Sequence, residues 1–185
     1  IELLRTLKRI NAKTAIVTGT TGYSSDEEKK FKSLVKGITI LRSFNMSIGI
    51  NLLKNLTRLT SKIIGSESDI EILETHHNKK RDIPSGTSLS LADSVSEGNP
   101  NIKKHSFREK NNNRVRQKSE IGFSSIRGGD VVGEHTVYFF LNGERIELKH
   151  IATGRKIFSI GALEAANWIF KKKPGLYTIM DMVKI

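Results

Sequence analysis

The chain has 185 residues, of which 37% are hydrophobic, so it is long and apolar enough to bury a core. It contains no cysteine, which excludes disulfides, thiolate nucleophiles and cysteine-ligated metals and fits a reducing compartment. The formal net charge of +12 comes from small basic groups spread along the chain with few aromatic residues among them. We therefore expect a cytoplasmic protein with no nucleic-acid partner, and the absence of a long apolar run indicates no membrane span.

The first 45 residues alternate helices with short apolar strands. Helical spacing of apolar residues indicates a helix over 1–10, and capping and acidic residues from Ser24 onward indicate another that runs to Gly37. Short apolar runs indicate strands over 14–18 and 38–44. This alternation is typical of a parallel sheet with crossover connections, so residues 1–45 predict the later part of a doubly wound α/β domain.

The middle of the chain predicts a different kind of domain. A helix over 47–64, a strand over 69–75 and a helix over 87–97 precede a polar connection over 98–119, which we expect to be mobile. Strands follow over 122–127, 131–141 and 144–153, and Asn142-Gly143 between the last two is a strong hairpin signal. A hairpin makes part of this sheet antiparallel, so residues 46–154 predict a mixed α+β domain.

The end of the chain predicts a helix over 157–171 and an extended segment over 176–183, separated by Pro174 and Gly175. We assign residues 155–185 to the same domain as residues 1–45. If the last extended segment belonged instead to the sheet of residues 131–141, this division would be wrong.

The densest polar sequence is ETHHNKKRDIPSGT, from Glu74 to Thr87, where a predicted strand ends and a helix begins. Open α/β sheets bind ligands beyond the carboxyl ends of their strands, and a helix start after Ser-Gly-Thr offers backbone N–H groups to a carboxylate. Histidine can exchange a proton near neutral pH, and the adjacent cations can hold a second carboxylate or supply a proton. A surface loop of solvated charges accounts for these residues equally well, so both interpretations stay open at this point.

A metal site is not expected. His76 and His77 are adjacent, so they project to opposite sides of a continuing strand. The sequence GEHT at 133–136 is not the helical HExxH pattern, and His105 and His150 lack partners at ligand spacing.

A candidate nucleotide-binding turn follows the first predicted strand. Its residues, Gly19 to Gly22, lie between a strand and a helix, although an ordinary tight turn has the same composition. The sequence lacks the G-x-G-x-x-G fingerprint that opens a dinucleotide-binding fold. Because the chain starts at Ile1 inside a predicted helix, we expect a longer protein in which such a unit precedes Ile1.

Five motifs together resemble dihydrodipicolinate reductase, in this order and at similar spacing: GTTGY, SFNMSIG, ETHHNKKRDIPSGT, IGFSSIRGGDVVGEHT and ATGRKIF. The resemblance covers almost the whole chain. It implies reduction of 4-hydroxy-tetrahydrodipicolinate by NADH or NADPH, with loss of water, in lysine and diaminopimelate biosynthesis. It also implies the C-terminal part of a Rossmann-like dinucleotide-binding domain, formed by 1–45 and 155–185, and a substrate-binding and oligomerisation domain over 46–154, in a homotetramer.

The resemblance assigns roles to individual residues. His76 resembles the proton donor or acceptor and Lys80 the proton donor, because hydride delivered to a ring carbon creates negative charge that a cation can stabilise and protonate. Substrate contacts are implied for His77, Gly86 and Thr87. Cofactor contacts are implied for Gly19, Thr20, Thr21, Ser43, Phe44, Asn45 and Met46, and Arg155 is a further candidate on the cofactor side.

Three alternatives accompany this hypothesis. They are a related nicotinamide oxidoreductase that acts on another small acid, an inactive fragment, and a basic nucleic-acid-binding module suggested by the charge of +12. The sequence also departs from the family at 110–119, where Asn and basic residues replace the glycines that are usual there. Because the residues that choose between NADH and NADPH are not in the sequence, the cofactor preference cannot be predicted.

Overall fold

The structure is a computed structural model that describes residues 1–10, 13–102, 104–107 and 114–183. It divides into two compact units, one formed by residues 1–51 with 156–185 and the other by residues 52–155. The boundaries predicted from the sequence lie after residues 45 and 154. The first unit therefore extends further along the chain, into the start of the long helix.

The helices and strands follow one another as α1 (Glu2–Arg9), β1 (Ala15–Thr18), α2 (Ser25–Leu34), β2 (Thr39–Arg42), α3 (Ile48–Ile64), β3 (Asp69–His76), α4 (Gly86–Gly98), β4 (Lys104–Phe107), β5 (Glu120–Arg127), β6 (Gly133–Phe140), β7 (Arg145–Ala152), α5 (Lys156–Ile169), β8 (Gly175–Tyr177) and α6 (Ile179–Met182). In the part of the chain that the structure describes, no helix is long and apolar enough to cross a membrane.

A parallel sheet forms the centre of the first unit. Its strand order is β1-β2-β8, and both pairings are parallel. Successive side chains of β2 point to opposite faces, so Ile40 packs with Leu4 and Phe31 while Leu41 packs with Ala165 and Ile169. Helices therefore cover both faces of β2, as crossover connections require, and the predicted parallel α/β sheet is confirmed.

The predicted start of α2 is also confirmed. The hydroxyl of Ser24 accepts a hydrogen bond from the backbone N–H of Glu27 at 3.3 Å, and the Glu27 carboxylate accepts one from the Ser24 N–H at 2.8 Å. This capping box satisfies donors that the first turn leaves unpaired. The helix ends at Leu34, before the predicted end at Gly37, whose φ of 84° is left-handed.

The predicted extended segment over residues 176–183 is wrong in its second half. Gly175–Tyr177 forms β8, but Ile179–Met182 forms the short helix α6. The side chain of Asp181 accepts a hydrogen bond from the backbone N–H of Thr178 at 2.9 Å, which stabilises a helix start where the sequence analysis expected a strand.

The second unit contains a mixed sheet, as predicted. Its strand order is β4-β5-β3-β6-β7, with β5 parallel to both β3 and β4, and β6 antiparallel to both β3 and β7. The hairpin between β6 and β7 turns at Asn142 and Gly143, and Gly143 has a φ of 86°, which favours glycine. The fold class predicted for this part of the chain is confirmed.

The predicted polar connection over residues 98–119 is wrong in part, because Lys104–Phe107 forms the edge strand β4. Residues 103 and 108–113, which carry much of the predicted mobile loop, lie outside the described residues. The following segment is tied to β3: Arg116 forms ion pairs with Asp69 and Glu71 and donates a hydrogen bond to the carbonyl of Ile70 at 2.6 Å. Arg116 thus anchors this segment to β3.

The packing of α5 in the first unit can be tested at Gly161. A β-carbon at this position of α5 would lie 1.9 Å from the carbonyl oxygen of Met46. We expect Gly161→Ala to lower the free energy of unfolding by about 1–3 kcal/mol, because backbone must move to admit the methyl group. Gly154→Ala is the control, since no atom lies within 4 Å of the added β-carbon. Urea unfolding of both variants measures the difference, and equal losses would contradict this packing.

Candidate active site

Strand register brings polar residues from β3, β5 and β6 side by side. Glu74 of β3 lies opposite Ser125 of β5 on one side and His135 of β6 on the other. Two residues further along β3, His76 lies opposite Arg127 of β5. Because residues at even spacing share a face, these five side chains form one cluster near the carboxyl ends of the parallel pair β3 and β5.

The carboxylate of Glu74 is the centre of this cluster and is 1% exposed. Its Oε1 atom accepts hydrogen bonds from the Ser125 hydroxyl at 2.7 Å, the Arg127 guanidinium at 2.7 Å and the backbone N–H of Ser85 at 3.2 Å. Burial by itself raises the pKa of Glu74, but the hydrogen bonds from Arg127 and Ser125 lower it below the ordinary value. The buried carboxylate is therefore ionised at neutral pH.

His76 lies against the other oxygen of this carboxylate. Its Nδ1 atom contacts Oε2 of Glu74, and within the described part of the chain neither atom has another hydrogen-bond partner. Burial lowers the pKa of His76, and the negative charge of Glu74 only partly opposes this shift. His76 is therefore a neutral imidazole at neutral pH, next to an ionised carboxylate.

His135 packs edge-on against His76, with ring centroids 5.1 Å apart. Its Nε2 atom lies 3.2 Å from the Ser85 hydroxyl, so the hydrogen bond joins β6 to the residue that precedes α4. Burial lowers the pKa of His135 to about 3. This ring is neutral throughout the physiological pH range.

The low pKa of His135 predicts a loss of stability in mild acid. The unfolded chain takes up a proton on His135 near pH 6.5, whereas the folded protein does so only near pH 3. The contribution of His135 to the free energy of unfolding is therefore fully present above pH 6.5 and is lost as the pH is lowered towards 3. At about pH 5 the loss from this residue alone is about 2 kcal/mol. Urea unfolding across this range measures the loss. His135→Gln should show a smaller pH dependence, and an unchanged dependence would contradict the burial of His135.

Lys80 is held close to this cluster by its own carboxylate partner. Its Nζ atom lies 2.8 and 2.9 Å from the two carboxylate oxygens of Asp82, and its side chain is 21% exposed. The hydrogen bond from Lys80 lowers the pKa of Asp82. The charge of Lys80 also contributes to the lowered pKa of His76, after burial. Lys79, by contrast, is exposed.

The start of α4 lies beside this region. Ser85 is the N-cap residue, and its hydroxyl accepts a hydrogen bond from the backbone N–H of Ser88 at 3.2 Å. Gly86 and Thr87 form the first turn of the helix, where backbone N–H groups and the helix dipole favour an anion. No atom lies within 4 Å of a β-carbon built at Gly86, so the approach to this turn is open.

A cavity of about 400 Å³ lies beside the cluster in the same unit. Three of its lining residues follow β3 and three come from the β5–β6 connection and the end of the unit: His77, Asn78, Lys79, Gly129, Asp130 and Arg155. The cavity thus contains His77 and Arg155, both singled out from the sequence. Lys80, Gly86 and Thr87 do not line it.

The arrangement of Glu74, His76 and His135 bears on the expected absence of a metal. Ligand atoms of these three buried residues lie within 4.8 Å of one another, a spacing that the sequence analysis did not foresee. His76 and His77 do separate as expected, but His135 reaches His76 from a different strand. Because Oε1 of Glu74 already accepts three hydrogen bonds, one of them from a guanidinium, a cation here would meet positive charge. The absence of a metal stays a prediction.

The two candidate cofactor turns lie next to each other in the first unit. The backbone N–H of Ser43 donates to the carbonyl of Thr18 at 3.1 Å, and a β-carbon at Gly19 would lie 3.6 Å from the carbonyl of Ser43. The first turn contains Gly19, Thr20 and Thr21, and the second contains Ser43, Phe44, Asn45 and Met46. Both turns follow the carboxyl ends of parallel strands, and the Phe44 side chain is 69% exposed.

Comparison with known proteins identifies the family. The protein family described as "Dihydrodipicolinate reductase, C-terminus" matches residues 49–183. The chain belongs to the dihydrodipicolinate reductase family. The resemblance predicted from the five motifs is thereby confirmed.

Individual relatives agree with this assignment. The chain is 48% identical to the 4-hydroxy-tetrahydrodipicolinate reductase of Buchnera aphidicola subsp. Baizongia pistaciae, over 94% of this chain and 65% of that protein. It is 46% identical to the 4-hydroxy-tetrahydrodipicolinate reductase of Aquifex aeolicus, over 92% of this chain and 64% of that protein. The chain thus spans slightly less than two thirds of the length of these members of the dihydrodipicolinate reductase family.

A solved structure supports the fold. The dipicolinate-bound dihydrodipicolinate reductase from Paenisporosarcina sp. TG-14 superimposes with a TM-score of 0.77 at 22% sequence identity, over 98% of this chain and 69% of that chain. The fold of the dihydrodipicolinate reductase family is therefore retained here.

The residues that surround His76 are not evident as site residues from the sequence. Glu74 was part of the polar motif without a role, and Ser125, Arg127 and His135 were not singled out as site residues. The sequence offers two weak indications of a site. Ser125 and Arg127 lie on one face of a predicted strand, near its carboxyl end, and His135 lies in the strand that follows. Neither signal points to His76 until the strand order β5-β3-β6 is known.

Proposed function

We propose that this chain is the substrate-reducing part of a 4-hydroxy-tetrahydrodipicolinate reductase of lysine and diaminopimelate biosynthesis, and that it acts in the cytoplasm with NADH or NADPH. One observation carries the proposal. A neutral buried histidine at the end of β3, a lysine and an open helix start lie in one short stretch of chain. Family membership and 48% identity to a named reductase supply the reaction.

A cyclic dicarboxylate suits the chemistry of this region. We propose that Gly86 and Thr87 hold one carboxylate at the start of α4, where backbone N–H groups point out of the N-terminal end of the helix. His77, at the edge of the 400 Å³ cavity, provides a second contact. The relative from Paenisporosarcina binds dipicolinate, which is a planar dicarboxylate of the same size class.

We propose that Lys80 supplies the proton that completes reduction. The ring hydroxyl leaves as water before the hydride adds, negative charge then develops on the conjugated ring, and a cation beside it lowers the energy of that state and donates its proton. The Asp82 carboxylate orients the Lys80 ammonium group at 2.8 Å before substrate binds. His76, which is neutral and buried, can take up or give a proton at the same ring.

The turns at Gly19–Thr21 and Ser43–Met46 are the proposed contacts for the nicotinamide cofactor, which supplies the hydride when bound. The fit rests on the backbone: a side chain at Gly19 would fill the space in front of Ser43 and Met46, at 3.6 and 3.8 Å. The exposed ring of Phe44 lies 4.9 Å from the Arg42 guanidinium and is available for stacking.

A reductase assay tests the proposal. The chain would be joined at its amino end to the glycine-rich dinucleotide-binding unit of a relative, and oxidation of NADH and NADPH would be followed with 4-hydroxy-tetrahydrodipicolinate. We expect turnover with this substrate and none with other small acids. Turnover with a different acid would favour a related oxidoreductase. Absence of turnover in a folded protein would favour an inactive fragment.

We also propose a homotetramer assembled through the outer face of the second sheet. Register places Ile126 and Ile151 on the same face as Tyr138 and Phe140, away from the buried Val137 and Phe139. Ile126 is 50%, Ile151 is 51% and Phe140 is 38% exposed, so association through this face would bury apolar side chains that solvent now contacts. A second copy of the chain is the occupant that the family resemblance implies.

Sedimentation of this chain should therefore show an oligomer. Replacing Ile126 and Ile151 by lysine is expected to give monomers, because two buried charges would oppose association. Leu163→Lys is the control, since this residue is 71% exposed on α5 and lies outside the proposed interface. A wild-type chain that stays monomeric and soluble at high concentration would contradict the tetramer.

A further inference from the structure

The two ring nitrogens of His76 lie in different surroundings. Nδ1 contacts the carboxylate oxygen Oε2 of Glu74, and no other hydrogen-bond partner for Nδ1 exists among the residues that the structure describes. Nε2 lies beside Gly133 of β6, where a β-carbon would be only 3.1 Å away. One edge of the ring is therefore closed by a charged group, whereas the opposite edge borders a residue that has no side chain.

Glu74 cannot easily turn away from this contact. Its Oε1 atom is held by Ser125, Arg127 and the backbone of Ser85, which belong to β5 and to the start of α4. Rotation of the carboxylate would break three hydrogen bonds, one of them charge-assisted, at a side chain that is only 1% exposed. Oε2 therefore stays directed at His76.

An ionised carboxylate can only accept hydrogen bonds, so the single proton of a neutral imidazole beside it belongs on the facing nitrogen. We propose that Glu74 is a positioning residue that fixes His76 as the Nδ1–H tautomer and leaves Nε2, beside Gly133, as the atom that accepts a proton. The assignment rests on the proposed function, because it names the atom of His76 that serves the reaction. Gly133 contributes because a β-carbon at this position would lie 3.1 Å from Nε2 and crowd that edge of the ring.

A metal site or a purely structural ion pair would use the same residues. A metal ion held by Glu74, His76 and His135 would require the carboxylate to face the ion, yet Arg127 lies 2.7 Å from Oε1. A structural ion pair would hold Glu74 in place and give the same tautomer of His76, but its loss would not lower kcat in a folded protein. The tautomer of His76 therefore distinguishes a positioning role of Glu74 from a metal site, and the effect of Glu74→Gln on kcat distinguishes it from a structural ion pair.

The test is a ¹⁵N NMR spectrum of histidine-labelled chain, with the His76 signals assigned by their loss in His76→Gln. In the wild-type chain we expect the proton of His76 on Nδ1. In Glu74→Gln we expect the opposite tautomer. The glutamine oxygen must stay with the three donors, so its NH₂ group faces Nδ1 and the proton moves to Nε2. Glu74→Asp keeps the charge and should keep the wild-type tautomer.

A proton on Nε2 in the wild-type chain would overturn the proposal, and so would an unchanged tautomer in folded Glu74→Gln. If Glu74→Gln does not fold, the wild-type spectrum decides alone. A wild-type spectrum that changes when EDTA is added would also overturn the proposal, because a metal would then hold the ring.

Kinetics provide a second measurement in the joined reductase. Glu74→Gln is expected to lower kcat by about 10²-fold while KM changes little, because the wrong tautomer removes proton transfer but not binding. Glu74→Asp is expected to recover part of the loss. A fall confined to KM would overturn the positioning role.

The same wild-type sample separates this inference from the proposed function. Calorimetry with dipicolinate reports whether the site binds a dicarboxylate, and absence of binding would contradict the proposed function without altering the tautomer of His76. A reversed tautomer with normal dipicolinate binding would contradict the role of Glu74 and leave the proposed function intact.

Discussion

Replacing Lys80 by alanine is expected to lower turnover of the joined reductase by about 10²- to 10⁴-fold, the usual loss when a positioned acid is removed. The reason is that Lys80 is oriented by Asp82 at 2.8 Å and is largely shielded from solvent, so its ammonium group is placed before the reaction begins. Loss of the methylene chain should have little effect on folding, since the Asp82 partner of Lys80 is 58% exposed and solvent can replace the lost contact.

Lys79→Ala is the matched control. Lys79 carries the same charge one residue earlier, but its side chain is exposed and lines the cavity rather than facing Asp82. Because solvent screens the charge of Lys79, we expect its loss to lower turnover much less than the loss of Lys80 does. Steady-state kinetics on both variants measure the difference, and equal losses would remove Lys80 from the proposed role.

Arg127→Met is expected to lower the free energy of unfolding by about 3–5 kcal/mol, because it leaves the ionised Glu74 buried without its cation. The Glu74 side chain is 1% exposed and that of Arg127 is 15% exposed, so solvent cannot replace the lost partner. Arg127 also donates to the backbone carbonyl of Asp82 at 2.8 Å, which ties the segment that contains Lys80 to β5.

Arg145→Met provides the comparison. Its ion pair with Glu147 has a similar length, 2.6 Å, but the two side chains are 60% and 38% exposed. A surface pair of this kind contributes about 0–1 kcal/mol. Urea unfolding of both variants measures the contrast, and a loss in Arg127→Met no larger than in Arg145→Met would show that Glu74 is not buried as described.

Local chemistry made much of the fold predictable. Short apolar runs indicated β1 and β2, the residues Ser24 and Glu27 indicated the start of α2, and Asn142-Gly143 indicated the hairpin. Each of these features depends on residues that are close in sequence. The motif from Glu74 to Thr87 was likewise recognisable, because a strand end, cations and a helix cap follow one another within it.

The errors arose where distant parts of the chain decide the structure. Lys104–Phe107 is short and mostly polar, and it becomes a strand only because β5 pairs with it. The short helix after β8 has a local signal in Thr178 and Asp181, but the apolar residues around them also fit an extended segment. The contact between His76 and His135 depends on β6 pairing with β3, and no spacing in the sequence reports that pairing.

Binding of dipicolinate to this chain tests the central claim most directly, because it requires no cofactor and no added domain. Isothermal titration calorimetry should show saturable binding of dipicolinate with one site per chain. A pyridine monocarboxylate should bind at least about tenfold more weakly, since one charge-assisted hydrogen-bonded contact is lost. Absence of saturable binding, or equal affinity for the monocarboxylate and the dicarboxylate, would contradict a dicarboxylate site at the end of β3.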